Sequence, residues 1–406
     1  MNTSRSFASD RGEAHYFHGR QEEISFVQDA LKSSQDDRKS HSILIQGAPG
    51  VGKSALLNEL RERMKHRCCV VKLELRMLSN MYQLESAVLG KKKYRKESQK
   101  VQGNLKLVAG KVNYERSEPT VSSIFKKIQK PILLTLDEAQ MMRVGHVKGD
   151  RETEKKAHLF DELHNLQLKQ GLVFLIAGLS HTRKVFKDFE ISRFSDDCVI
   201  NLSRLDQKAE EDILRDYLVR GAGVKPNHPN LNDWVHQMSK ETYQWAHHIS
   251  CYGQVAAQKI KKNRGVLSNE LFSDILKESR RKKITYYHGR FAELEARERA
   301  SIYHAFFENE HQESILDKSK VELDFKNNPI VKHPKQMFEE LVSRGVLQIR
   351  LDGFYQIPIP SLRTWMLQEY QNYLIIMNQK PSVKIQQMFD SLKFNQANDR
   401  PPSIKN

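Results

Sequence analysis

Two groups of residues in this chain are of the types and spacing that act on phosphates. Gly47, Ala48, Pro49, Gly50, Val51, Gly52, Lys53 and Ser54 match G-x-x-x-x-G-K followed by Ser or Thr without a departure. Glycines at these positions let the backbone curl so that successive N–H groups point inward, and a helix beginning there adds the positive end of its dipole. The result is a concavity for a phosphate. Lys53 supplies a fixed charge for the outer phosphates, and Ser54 offers a hydroxyl to a Mg²⁺ that bridges them. The second group is an adjacent pair of acids, Asp137 and Glu138, directly after the apolar run Ile132 to Leu136.

Both groups need elements to hold them. Ile43 to Ile45 reads as a strand running into the loop, and Ser54 opens an amphipathic helix with Leu56, Leu57, Leu60 and Met64 on one face. Ile132 to Leu136 is an uninterrupted apolar strand, the pattern of the buried centre of a parallel sheet. Cys69 to Leu75 and Leu172 to Ala177 read as further strands, Val121 to Lys130 as a helix with Ile124, Phe125 and Ile128 inward, and Ala157 to Gln170 as a helix ended by Gly171. Met142 to Lys156 reads as a polar loop. Ahead of the loop, Ile24, Phe26, Val27, Ala30 and Leu31 form a helical stripe. Ser54 and Asp137 are 83 positions apart, whereas two minimal strand–helix crossovers need roughly sixty residues. The surplus falls in residues 91–118, which start as a basic helix and continue as a possible hairpin turning at Ala109-Gly110.

These motifs resemble those of the AAA+ and STAND P-loop ATPases, nearest to origin-recognition-like and transposition-type members. The stretch PILLTLDEAQ resembles a Walker B motif, in which Asp137 holds Mg²⁺ through water beside Ser54 and Glu138 orients and polarises the attacking water. The segment YFHGRQEEI, ahead of the P-loop, resembles one that in this family places His18, Gly19 and Arg20 near the adenine. By the same resemblance, Ser180, with Thr182 behind it, is the candidate sensor 1 contact to the γ-phosphate. Arg193 is the candidate arginine finger reaching a neighbouring subunit's γ-phosphate. The family's sensor 2 arginine has no counterpart in ETYQWAHHISCYG, where His247 or His248 is either a substitute or an ordinary core or surface histidine.

The fold class implied is α/β: an AAA+-like parallel P-loop NTPase sheet domain over residues 16–206, an all-α lid over 207–283 and a C-terminal winged helix-turn-helix domain over 284–378. Residues 1–15 read as a flexible N-terminus and 379–406 as a partly ordered tail. Leu231 to Gln237, Thr242 to Lys261 and Leu267 to Ser279 read as lid helices, and Arg280 to Lys283 as a basic linker. The last domain rests on three helical stretches, Phe291 to Glu308, Glu313 to Lys320 and Lys335 to Arg344. Two strands follow, Val346 to Arg350 and Phe354 to Ile357, paired across Asp352-Gly353.

Composition narrows the partners. The chain has 406 residues and a formal charge of +16. Between Lys91 and Lys130, twelve Lys or Arg face three Glu. Charge this concentrated is either a surface for a phosphate backbone or an acidic partner, or a solvated loop with no partner. Four cysteines without zinc spacing read as buried thiols in a reducing compartment, and the longest apolar run is too short to span a bilayer, so a soluble cytoplasmic protein is expected. The expected ligands are ATP and Mg²⁺, with ATP over GTP resting on the family likeness. Duplex DNA bound through the basic insert and winged helix, within a homo-oligomer, is the first expectation for partners. A signalling or defence switch with a protein partner, and a nucleotide-binding scaffold without turnover, are the alternatives.

Overall fold

The computed structural model describes residues 16–89, 119–143, 151–188, 196–265, 267–292, 294–331, 333–350 and 352–398. The basic stretch 91–118 with its expected hairpin, Arg193, residues 1–15 and the end of the tail lie outside the described residues. The chain divides into two compact units, residues 1–47 with 51–205, and residues 48–50 with 206–406.

In the first unit five strands, β1 (Ser40–Gln46), β2 (Cys69–Leu73), β3 (Ile132–Leu136), β4 (Leu172–Gly178) and β5 (Val199–Asn201), form one sheet in the order β2-β3-β4-β1-β5. Every pairing is parallel. Each residue of β3 and β4 is buried, as the apolar runs require when a parallel sheet is covered on both faces. Around it stand α1 (Gln21–Asp36), α2 (Lys53–Met64), α3 (Met81–Leu89), α4 (Val121–Phe125), α5 (Arg151–Asn165) and α6 (Thr182–Asp188). Helix α2 buries Leu56, Leu57, Leu60 and Met64, the stripe read from the sequence. At about 1.5–3 kcal/mol for each large aliphatic side chain, that face alone fixes the helix to the sheet.

Helix α1 differs from its expected stripe: Ile24, Val27 and Leu31 are buried, but Phe26 is 39% exposed and Ser34 takes a core position instead. Helix α5 starts at Arg151 and stops at Asn165, not spanning Ala157 to Gln170, so part of the expected polar loop is helical. Leu166 and Leu168 still bury themselves in the connection to β4, which explains the misread periodicity.

The second unit begins with α7 (Gln207–Asp216), α8 (Leu231–Thr242), α9 (Ala246–Lys262) and α10 (Asn269–His288). Thr242 to Lys261 is not one helix. A turn at Tyr243 and Gln244, both at positive φ, separates α8 from α9. The buried Glu210 carboxylate holds that turn, accepting from Ser239 Oγ and Thr242 Oγ1 (both 2.5 Å) and from Gln244 N–H (2.7 Å). Nor is residues 280–283 a linker: they continue α10, because Arg280 and Lys283 pair with Glu241 and Arg281 pairs with Glu278 at 2.7 Å.

After α10 come α11 (Ala296–Glu308), α12 (Lys318–Asn327) and α13 (Pro334–Ser343). With them is a four-stranded antiparallel sheet of β6 (Glu310–Gln312), β7 (Ile315–Leu316), β8 (Gln348–Ile349) and β9 (Tyr355–Gln356), in the order β6-β7-β9-β8. The helix expected over Glu313 to Lys320 starts only at Lys318, where the Asp317 side chain accepts from Lys320 N–H at 3.2 Å; Ile315 and Leu316 pair with β9. The β8–β9 hairpin turns where expected, with Gly353 at φ 84°. Helices α14 (Pro360–Ile376) and α15 (Val383–Asn398) complete the unit.

Candidate nucleotide site

The register sets the geometry of the site. Gln46 lies opposite Gly178, and Leu136 lies opposite Ile176, so β1, β3 and β4 end at one edge of the sheet. The loop from Gly47, the acids Asp137 and Glu138, and the segment Leu179 to Thr182 all leave that edge. One strand, β4, stands between β1 and β3. Two strand spacings amount to about 10 Å, a gap that side chains and a bound phosphate with its cation can bridge.

The loop is built for close approach. A Cβ on Gly47 would stand 2.8 Å from the Leu202 carbonyl oxygen, so only glycine fits there. Gly52 caps α2 at φ 107°, a left-handed conformation open to glycine, and no side chain caps the helix. The start of α2 thus presents the positive end of its dipole on the side of the loop. Lys53 is only 7% exposed, and its ammonium donates to Gly47 O at 2.9 Å across the curled backbone. Ser54, the next residue, is half-buried in the first turn of α2. The tip of the loop, Ala48 to Gly50, belongs with residues 206–406, where His247 N–H donates to Gly50 O at 2.9 Å. Val51 is buried.

Gly19 and Arg20 precede α1 at positive φ, 77° and 63°. The Arg20 guanidinium is already engaged: it bonds Val51 O at 3.4 Å, the Ser203 carbonyl, and Glu23 at 3.1 Å. It thus ties the start of α1 to the back of the glycine loop.

Asp137 is half-buried and accepts from Glu138 N–H at 2.9 Å. Glu138 is exposed and held at φ 55°, a backbone conformation that costs a non-glycine residue about 1–3 kcal/mol. Beneath the acids, Arg61 of α2 donates to Thr135 Oγ1 at 3.2 Å. Burial pulls the Arg61 pKa down from its ordinary value, and the nearby Asp137 charge opposes that. Nothing in the sequence pattern singles out Arg61. Nor does it single out Gln140, whose side chain is 8% exposed, donates to the Glu138 carboxylate and accepts from Leu179 N–H at 3.2 Å.

At the end of β4, Ser180 is half-buried, and Thr182 is fully buried with its hydroxyl unpartnered. The two histidines weighed as sensor 2 substitutes sit in packing. His247 stacks on Tyr286 at 4.1 Å, and His248 is fully buried with Nε2 3.2 Å from the Tyr287 hydroxyl. Burial, then the charge of Lys283, then His247, push the His248 pKa well below its ordinary value, so its ring is neutral.

Glycines at positive φ, the positive end of α2, a buried lysine and a carboxylate beside Ser54's edge of the sheet form a set that suits a triphosphate with a hard divalent cation. Among the described residues no helix is long and apolar enough to cross a membrane.

Comparison with known proteins accords with this geometry. The family described as "AAA ATPase domain" matches residues 16–176. The search of curated proteins gives no match. Among solved structures, the Aeropyrum pernix ORC2 protein in its ADP form is similar with a TM-score of 0.54 and 13% identity, covering 89% of this chain and 97% of that one. A Walker-type ATPase of Pyrococcus abyssi is similar with a TM-score of 0.52 and 16% identity, covering 86% and 95%. At these identities the likeness is one of fold.

Proposed function

We propose, from the premise that residues 16–176 are an AAA ATPase domain, that the chain binds and hydrolyses ATP and uses nucleotide-dependent assembly to act on DNA. The observation that carries the hydrolytic part is the shared sheet edge. Gly47 to Ser54 and the pair Asp137-Glu138 leave it one strand apart.

In this reading Gly47 to Ser54 wrap the phosphates, and Lys53 faces the outer ones. Ser54 and Asp137 would hold Mg²⁺, which when bound neutralises charge on the β- and γ-phosphate oxygens. Glu138 orients the attacking water and takes its proton, since phosphoryl transfer depends mainly on placement and electrostatics. Ser180 contacts the γ-phosphate from the end of β4. Arg193, from a second copy, completes the charge stabilisation, so turnover is slow in a lone chain.

The winged-helix reading of residues 284–378 is supported by three helices, α11 to α13, with a hairpin turning at Gly353. In such a domain α13 would face a major groove. The basic insert and this domain would grip the phosphate backbone, with affinity falling steeply as salt rises. A specific observation favours the second reading, a switch with a protein partner: the hairpin's Arg350 is spent on Asp352 at 2.7 Å, and Arg344 bonds the Ala292 carbonyl at 2.5 Å.

The test is phosphate release from MgATP by the full chain, alongside sizing with and without ATP and duplex DNA. Turnover with DNA-dependent assembly supports the first reading. Turnover with no DNA binding at low salt leaves the protein-partner switch. No turnover in the parent chain refutes the ATPase assignment.

A further inference from the structure

Gln140 lies outside the residues assigned to phosphate, metal or water, yet its side chain spans two of the segments that carry them. It leaves β3 three positions after Asp137 and crosses to the end of β4. Its amide N–H donates to the Glu138 carboxylate, and its carbonyl accepts from Leu179 N–H at 3.2 Å. At 8% exposure it is fixed in that crossing.

The surroundings leave room for this side chain and little else. Gly178 lacks a side chain where an added Cβ would stand 3.0 Å from Gln140 Oε1 and 2.2 Å from Thr182 Oγ1. The neighbouring Thr182 hydroxyl is buried and has no hydrogen-bond partner among the described residues. Glu138 meanwhile is held at φ 55° with its N–H on Asp137 Oδ1, so its backbone is fixed. Among the described residues, Gln140 is the side chain that bonds its carboxylate.

Chemistry narrows the residue that can do this. An apolar side chain would strand the buried Leu179 N–H. A glutamate would satisfy Leu179 but set a second carboxylate against Glu138. Asparagine is one methylene short. Only glutamine's paired donor and acceptor at this length serve both ends.

We infer that Gln140 is a positioning residue that links the end of β4 to the carboxylate of Glu138. The direction in which Glu138 points is thereby set by where Leu179, and with it Ser180, lies. A movement of the β4 end on contact with a γ-phosphate would be transmitted through Gln140 to the group that activates water. The inference rests on the proposed role of Glu138 above, and deepens it.

The experiment measures kcat and ATP affinity separately for the full chain with MgATP. The variants are Gln140→Met, Gln140→Glu, Glu138→Gln and the double variant Glu138→Gln with Gln140→Met. A general base contributes about 10²–10⁴-fold, so misaiming it by Gln140→Met is expected to lower kcat on the order of ten- to a hundred-fold. ATP affinity stays within about twofold of the parent. In Gln140→Glu, a second carboxylate set against Glu138 repels it from its aim, so kcat falls by a similar factor while ATP affinity again stays within about twofold. In the Glu138→Gln background, Gln140→Met brings no further loss.

Two results overturn the inference alone: Glu138→Gln losing turnover while both Gln140 variants keep the parent kcat, or a fully additive loss in the double variant. A parent chain without turnover, or Glu138→Gln as fast as the parent, overturns the ATPase reading and this inference with it. Should Gln140→Met fail to fold, Gln140→Glu carries the test, because it keeps the acceptor for Leu179.

Discussion

Replacing Lys53 by Met removes one charge from the phosphate loop while keeping most of its stem. In the folded protein Lys53 is 7% exposed and its ammonium donates to Gly47 O at 2.9 Å. Loss of a hydrogen bond from a charged group costs about 1.5–3 kcal/mol, offset in part because an ammonium no longer has to be kept out of water. The melting temperature should therefore move by only a few degrees. Nucleotide affinity should respond far more. A unit charge about 4 Å from a phosphate charge, at an effective dielectric constant of about 20, is worth about 4 kcal/mol. At about 1.4 kcal/mol per decade this is a weakening of roughly 10³-fold. The assay is equilibrium binding of a fluorescent ATP analogue with Mg²⁺, paired with a thermal melt of the same sample. Affinity within threefold of the parent, in a variant that melts like the parent, would refute the placement of phosphate at this loop.

Glu138→Gln should separate binding from turnover: ATP is held as in the parent, and phosphate release falls about 10²–10⁴-fold in single-turnover measurements; unchanged release sinks the role given to Glu138. His248 is fully buried with its pKa pushed well down, so neutral His248 is what the fold accepts. Stability tied to it is full above the unfolded value of about 6.5 and is lost as pH falls below that, at about 1.4 kcal/mol per pH unit until the folded value is reached. Denaturant midpoints at pH 7.5, 6 and 5 should show this slope in the parent and its loss in His248→Phe; a parent-minus-variant difference independent of pH contradicts it. Substituting Lys91, Lys92, Lys93, Arg95 and Lys96 together by Ser should weaken duplex DNA binding and flatten its dependence on salt, with ATP affinity unchanged. Equal DNA affinity and salt slope in parent and variant would take the basic insert out of DNA binding.

The phosphate loop, the strand Ile132–Leu136 and the acids after it were legible because their determinants are local. Glycine conformations, a lysine-serine pair and a five-residue apolar run are properties of consecutive residues, and β3 begins and ends where its apolar run does. The hairpin across Asp352-Gly353 was legible for the same reason. Misread stretches were those where distant partners outvoted local pattern. Four adjacent cations at 280–283 looked like a linker, yet acids at 241 and 278 keep them helical. The helix assumed to run unbroken from Thr242 is interrupted because Glu210, 34 positions away, captures Gln244 N–H.

The sequence by itself determined where the glycine loop, its lysine-serine pair and the two acids stand along the chain. It could not say that β4 runs between β1 and β3, since parallel neighbours are chosen by crossovers and packing that leave no trace in residue spacing. That insertion sets the distance between loop and acids. It also brings Leu179 beside Gln140, 39 positions apart in the chain, and so turns an unremarked glutamine into a link between the end of β4 and the Glu138 carboxylate. Hydrogen bonds between segments are decided by register across the sheet, and register exists only once the sheet has formed.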